Sequence, residues 1–323
     1  MFIRSFHVVE VTNIDGEHYG AVFGTLRSMK TAINMFTPDE VYVIMDGPNS
    51  GLKRKLQNKN YKANRKKEFK KGVVKAYDFL NENDRDTNFS FQLGRLSEYL
   101  GVLPIKVISI PYVEADDIIA EIVGSMEKDC EAIIYSTDAD FKQLVNERVS
   151  CYNPTVKMLT NEKAFFSKHG YLPGNHIYFK CLNGDKSDGI SGVKGIGEKT
   201  YLKMFPIVSI EKIENVTELV NMAQHALDSG NAGKMLGKYQ VVVDNQDLIQ
   251  ANWELMQLTR VNISLQAKKQ IDELVNSKPQ RFNDIRLRMM FLGDKLNHQV
   301  KYYEDWEHTF SELVFKQRRM KHD

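Results

Sequence analysis

Eight carboxylates stand in short, distinctive contexts within the first 190 residues. Asp46 lies in Val-Ile-Met-Asp-Gly, and Glu114, Asp116 and Asp117 lie in Glu-Ala-Asp-Asp. Asp138 and Asp140 lie in Ser-Thr-Asp-Ala-Asp, and Asp185 and Asp188 in Gly-Asp-Lys-Ser-Asp. Several follow hydrophobic runs that read as strands. A strand that ends in an acid points that acid at the open edge of a sheet. Like charges in this number converge only if cations neutralise them or protons stay bound. Hard oxygen ligands suit magnesium or manganese, and a carboxylate cage for such ions suits phosphate chemistry.

Each motif has a plainer meaning to be weighed. Acids in the first turn of a helix favour its dipole, which explains one or two of the Glu-Ala-Asp-Asp acids but not three within four residues. The adjacent Asp116 and Asp117 cannot share one narrow face, so one is expected at a metal and the other just behind it. An N-cap at Asp138 leaves Asp140 unexplained. Asp185 and Asp188 are three apart, so one tight turn can aim both at one ion. Four glycines follow (Gly189, Gly192, Gly195, Gly197), and Gly195-Ile-Gly197, flanked by Lys194 and Lys199, reads as a hairpin between two helices. Glycines let backbone approach a phosphate closely. Between Lys53 and Lys71 there are ten Lys or Arg and one acid, Glu68. Such a run is usually a solvated face. Here it contains Tyr61-Lys62-Ala-Asn-Arg65, where an aromatic ring amid cations offers stacking to a single strand.

The elements that must position these residues can be read from periodicity. Apolar residues at helical spacing run from 17 to 36 (Val22, Leu26, Met29, Ile33), and Pro38 marks the stop. Val41 to Met45, Lys106 to Ile110 and Ala132 to Tyr135 read as strands. Helices are expected from Glu114 to Met126, from Ala139 to Val145, and over 73–100 with a polar break near Asn81 to Asn88. Val149 to Tyr152 and Val156 to Leu159 read as short strands around Asn153-Pro154. Strands alternating with helices predict an α/β fold with a mostly parallel central sheet covered by helices. Ligands of such sheets bind beyond the carboxyl ends of the strands, where Asp46 and Asp138 fall. From about 160 the pattern turns helical. The expected division is an α/β part over 1–160 and a mostly helical part over 161–323. Near the end, Phe282, Ile285, Met289 and Leu292 suggest one amphipathic helix facing a core.

Bulk properties narrow the class. The 323 residues are 42% hydrophobic, enough for a sizeable core, and the net charge of +2 names no partner. Cys130, Cys151 and Cys181 form no C-x-x-C pair and read as reduced core thiols. No apolar run approaches a membrane span and Met1 to Phe6 is no signal peptide, so an intracellular protein is expected.

Together these motifs resemble the 5′ nuclease or flap endonuclease family, in particular the bacteriophage enzymes and the 5′ nuclease domain of bacterial DNA polymerase I. The likeness runs in order from Met1 to Phe205 and weakens after 210. It implies that Asp46, Glu114, Asp116, Asp138 and Asp140 hold metal near the reaction, with Asp117 less direct. Asp185 and Asp188 fall at a more distant metal site. It implies a helical arch over about 50–85, with Tyr61, Lys62 and Arg65 engaging the strand near the scissile phosphate. It also implies a helix-hairpin-helix over about 183–205 that grips duplex DNA through Lys194, Gly195, Gly197 and Lys199, often with potassium. The implied activity is metal-dependent 5′-3′ exonuclease and flap endonuclease cleavage of DNA, with RNA primers as a second substrate and two or more Mg2+ or Mn2+ ions. The implied setting is a monomer in the cytoplasm of a bacterium or phage-infected host, with a replication protein as partner.

The resemblance departs at the start. Met1-Phe-Ile-Arg4-Ser-Phe6 matches the run after the family's first strand, and Arg4 fits its phosphate-side arginine. That strand and its aspartate have no counterpart here. The expected explanation is that Met1 is internal to a longer protein. The alternative is a structure-specific DNA-binding protein whose catalysis is impaired by the lost ligand.

Overall fold

The computed structural model describes residues 1–59, 61–62, 82–230 and 232–319. Two compact units emerge, one from 1–45, 67–108 and 273–323, the other from 46–66 and 109–272.

In the first unit the helix Gly20–Phe36 buries Val22, Leu26, Met29 and Ile33, as their spacing requires. It ends at Thr37, whose left-handed backbone (φ 43°) closes the last turn before Pro38. Its first amides, Ala21 and Val22, donate to Gln92 Oε1 at 2.8 and 3.2 Å. Gln92 belongs to the helix Glu82–Leu100, which is continuous through 82–88. The polar residues expected to break it are instead used: Arg85 and Asn88 are buried, and Asn88 Nδ2 donates to the His18 carbonyl at 3.3 Å. A helix Phe2–Val8 precedes these, and the seven-residue segment gave no periodic signal. Tyr42–Ile44 and Lys106–Ile108 pair in parallel, Val43 opposite Val107. Leu96, Tyr99 and Leu100 pack with Phe291, Trp306 and Phe310 from the helices Asp284–Gly293 and Tyr303–Arg319.

The second helix face near the end reverses the expectation. Ile285, Met289 and Leu292 are exposed, while Leu287, Met290 and Phe291 are buried. Apolar residues fall on every side of this helix, interleaved with Asp284, Arg286 and Arg288, so periodicity could not choose its inner face.

In the second unit Ala132–Tyr135 pairs in parallel with Val149–Asn153, and Met158–Thr160 closes the sheet antiparallel. The helix Ala115–Ser125 buries Ile118 and Ala120. A 3₁₀ turn, Asp140–Leu144, stands where a longer helix was expected. Beyond 160 come helices at Glu162–His169, His176–Asn183, Glu198–Met204, Val216–Asp228, Leu236–Asp244 and Gln246–Met256, around Phe165, Tyr171, Tyr201, Phe205 and Leu219. The α/β class with parallel pairing holds, its described strands lying in separate short sheets. Cys151 and Cys181 are buried, whereas Cys130 is exposed, which corrects its assignment to the core. Among the described residues no helix is long and apolar enough to cross a membrane.

Candidate active site

Asp46 follows the strand Tyr42–Ile44, and its Oδ1 accepts the Ala115 amide at 2.8 Å, at the start of the helix Ala115–Ser125. Gly47 has no substitute here, because a Cβ would lie 1.7 Å from the Ile110 carbonyl oxygen. Glu114 is the extended residue before that helix and is buried. Lys62 Nζ reaches its Oε1 at 2.9 Å, the Tyr61 hydroxyl donates to Oε2 at 3.3 Å, and Arg54 pairs with the same carboxylate. Arg54 Nη2 also donates to Asp117 Oδ1 at 2.7 Å. One guanidinium therefore binds both acids. Burial pushes the Asp117 carboxyl up, and Arg54 opposes it.

Asp116 turns elsewhere. It lines a cavity of about 20 Å³ with Asp138, Asp140, Asp188, Arg54 and Tyr61, closed on the apolar side by Leu255, Met256 and Leu258. That is room for about one water. Burial and then the Asp138 charge push the Asp116 carboxyl up to about 6, against Lys62 and Arg54.

Asp138 and Asp140 sit just past the strand Ala132–Tyr135. Asp138 Oδ1 accepts the Asp140 amide at 2.9 Å, and the Asp138 amide donates to Ser136 Oγ at 3.1 Å. Such a self-bonded turn fixes both side chains. Asp185 opens the short hairpin Gly184–Asp185 with Ile190–Ser191. Gly184 holds φ 74° and ψ 179°, a region open essentially to glycine, and a Cβ there would lie 2.4 Å from the Gly192 nitrogen. Asp185 Oδ1 accepts the Ser187 hydroxyl at 2.5 Å and its amide at 2.9 Å, while Lys180 Nζ donates to Oδ2 at 2.9 Å. Burial works against the Asp185 charge, but the Ser187 and Lys180 bonds outweigh it and hold the carboxyl down to about 2. Asp188 is buried, and its carbonyl accepts the Lys62 amide at 3.0 Å.

Lys180 also pairs with Asp140, so one buried ammonium joins the acids after the strand to those of the hairpin. Burial opposes its charge, and Asp140 and Asp185 more than offset this, raising its pKa. Gln143 adds a neutral tie. Its Nε2 donates to the carbonyls of Asp140 (3.0 Å) and Met256 (3.1 Å), and its Oε1 accepts the Leu258 amide at 2.8 Å. Sequence reasoning missed Arg54, Gln143, Lys180 and the Leu255–Leu258 wall. Only Lys180 carried a local signal, as a lone cation among Ile177, Tyr178, Cys181 and Leu182 on an apolar helix.

The Tyr61 ring is 5% exposed and packs in the core, which corrects its reading as a stacking surface. Arg4 lies on the exposed side of the helix Phe2–Val8 in the first unit. Arg65 and most of the expected arch lie outside the described residues. On the hairpin side, Lys194, Gly195, Gly197 and Lys199 are exposed while Ile196 is buried as the anchor. Gly195 takes φ 82°, and a Cβ there would lie 2.2 Å from Lys238 Nζ. Lys238 is thus a third lysine at this turn, distant in sequence and invisible to motif reading.

The donor set is carboxylate oxygen, which suits a hard divalent ion. Asp116 is raised partly by Asp138 and Asp46, a repulsion that such an ion relieves. Among the described residues no three His, Cys, Asp or Glu side chains converge on one point as they stand. Magnesium does not need three, since it keeps several waters and uses one or two carboxylates with phosphate oxygens. The residues therefore fit the ion.

An acid-lined pocket beyond parallel strands, followed by a lysine-flanked glycine hairpin, defines a nuclease-type α/β fold. Residues 1–170 match the 5′-3′ exonuclease, N-terminal resolvase-like domain, and the chain belongs to this family. A 5′-3′ exonuclease of Buchnera aphidicola subsp. Acyrthosiphon pisum (strain APS) is 31% identical over 218 residues, 67% of this chain and 69% of that protein. The thermostable DNA polymerase I of Thermus caldophilus is 30% identical over 203 residues, 62% of this chain, and the match spans only 22% of the polymerase. The fold is similar to that of the bacteriophage T5 flap endonuclease solved with DNA and metal ions, at TM-score 0.57 and 20% identity over 85% of this chain and 91% of that one.

Proposed function

We propose that this chain is a divalent-metal-dependent, structure-specific 5′-3′ exonuclease and flap endonuclease acting on DNA during replication or repair. The observation that carries the reading is the gathering of Asp116, Asp138, Asp140 and Asp188, distant in sequence, around one small cavity with Arg54. Magnesium or manganese held by these acids and Asp46 would supply an activated water and neutralise charge on the reacting phosphate.

The chain's own residues do the rest. Arg54 and Lys62 balance the charge of Glu114 and Asp117, and Arg54 opposes the upward push of burial on Asp117. Lys180 does the same for Asp140 and Asp185 and holds the two acid groups at a fixed spacing. Leu255, Met256 and Leu258 limit water in the cavity, which strengthens every charge inside it. Lys194, Lys199 and Lys238 would grip duplex phosphates without reading bases. Arg4, Arg65 and a potassium ion at the hairpin rest on the family resemblance alone.

The test is a labelled 5′ flap on a DNA duplex, beside an RNA flap of the same sequence. Cleavage at the junction with magnesium, and none in chelator, is expected for DNA. Intact DNA flap under all metal conditions would exclude the assignment, and a faster RNA arm would move the substrate class to RNA.

A further inference from the structure

A second polar cluster, half-buried, lies outside the acid pocket, in the helical part of the same unit. His169 ends the helix Glu162–His169, Tyr171 is fully buried, His176 opens the helix His176–Asn183, and Glu198 opens the helix after the glycine turn. His169 Nδ1 lies 2.5 Å from Glu198 Oε1, and the Tyr171 hydroxyl lies 3.1 Å from the same oxygen. His176 Nδ1 lies 3.0 Å from the Tyr171 hydroxyl.

Donor counting gives the cluster a direction. A carboxylate oxygen accepts, so His169 donates from Nδ1 and Tyr171 spends its one proton on Glu198. His176 must then donate from Nδ1 to the Tyr171 oxygen. His169 Nε2 is left buried without a hydrogen-bond partner. An imidazole kept this way, with its ring 4.4 Å from that of Phe165, is held for its Nδ1 bond. That bond ends on the residue directly after Gly197. Gly170, between His169 and Tyr171, faces Leu202 of the same helix, with room for only ordinary contact.

We infer that His169 and Tyr171 are positioning residues for duplex DNA. Through the Glu198 carboxylate they fix where the Gly195–Gly197 turn and its lysines stand. The inference rests on the reading of that turn as the duplex grip. Its physical basis is that Gly195 and Gly197 leave the turn itself soft, so its placement depends on bonds made just beyond it.

Binding of a blunt duplex and of a single strand of equal sequence, measured in chelator with the full chain, tests this. His169→Leu is expected to weaken duplex binding about tenfold, since charge-assisted bonds are the strong ones, and to leave single-strand binding within about twofold. Tyr171→Phe keeps the packing and is expected to weaken the duplex alone by about threefold. His169→Asn places an amide donor where Nδ1 was and is expected to restore most of the affinity. Wild-type duplex affinity in both His169→Leu and Tyr171→Phe, with Lys199→Ala impaired, would overturn the brace alone. Unchanged duplex binding in Lys199→Ala would overturn the hairpin assignment and the brace with it. Equal losses for duplex and single strand would reduce the cluster to a general stabiliser and overturn its positioning role.

Discussion

At the residue scale, the acids differ in what they can do because their neighbours differ. Glu114 and Asp117 are already neutralised by Arg54 and Lys62, whereas Asp116 and Asp138 face each other across the cavity. Asp138→Asn keeps the carbonyl that accepts the Asp140 amide and removes only the charge. Cleavage is expected to fall by about 10²–10³-fold with the fold unchanged, the scale of losing one group that stabilises the reacting charge. Arg54→Gln is a different kind of change. It leaves two buried carboxylates short of their cation and is expected to cost about 3 kcal/mol in a urea unfolding measurement. A variant as stable as the parent would mean the pair is not formed in solution. His176 sets a pH dependence of stability. Burial first, then Lys142, Lys180 and His169, lower its pKa to about 3. The unfolded chain takes up that proton near pH 6.5, so this stabilisation is complete above 6.5 and is lost as pH falls toward 3. The expected slope is at most about 1.4 kcal/mol per pH unit in that window. His176→Gln should flatten it, and an identical slope in the variant would remove His176 from the account.

At the element scale, the strand ends and the hairpin were legible and the packing behind them was not. Ala132–Tyr135 coincides with its apolar run, and Gly20–Phe36 with its helical spacing, because one period and one stop signal suffice there. The polar break expected before Leu93 failed, since Arg85 and Asn88 are polar yet buried, and pattern reading takes polarity for exposure. The helix Asp284–Gly293 failed for another reason, its apolar and charged residues being spread round every side. Tyr61 looked like a surface ring because its neighbours are charged, and only tertiary packing shows it inside. Gly184 was legible as a glycine but not as a necessity. With φ 74° and a Cβ position 2.4 Å from the Gly192 nitrogen, Gly184→Ala should cost about 1–3 kcal/mol or displace the hairpin. Thermal melting alongside duplex binding would detect either, and an unaffected Gly184→Ala protein would refute the described turn.

At the scale of the whole molecule, function was more legible than architecture. Acids in fixed short contexts pointed to metal-dependent chemistry, because that chemistry demands those residue types. The ties that hold the site, Lys180 and Gln143, and the wall at Leu255–Leu258 come from segments whose local sequence says nothing of acids. Their role exists only once the chain is folded. Net charge of +2 hides a basic run and an acid cluster that oppose each other along the chain. Binding should therefore depend on salt as local rather than net charge dictates. If about five phosphates are neutralised, the log–log slope is about −4, and a slope near zero would remove the basic run from DNA contact. The most direct test of the account compares the parent with Asp138→Asn on one labelled 5′ flap, following cleavage in magnesium and binding in chelator. The account predicts junction cleavage by the parent, loss of cleavage in the variant, and equal binding by both. Cleavage by Asp138→Asn at the parental rate would contradict it.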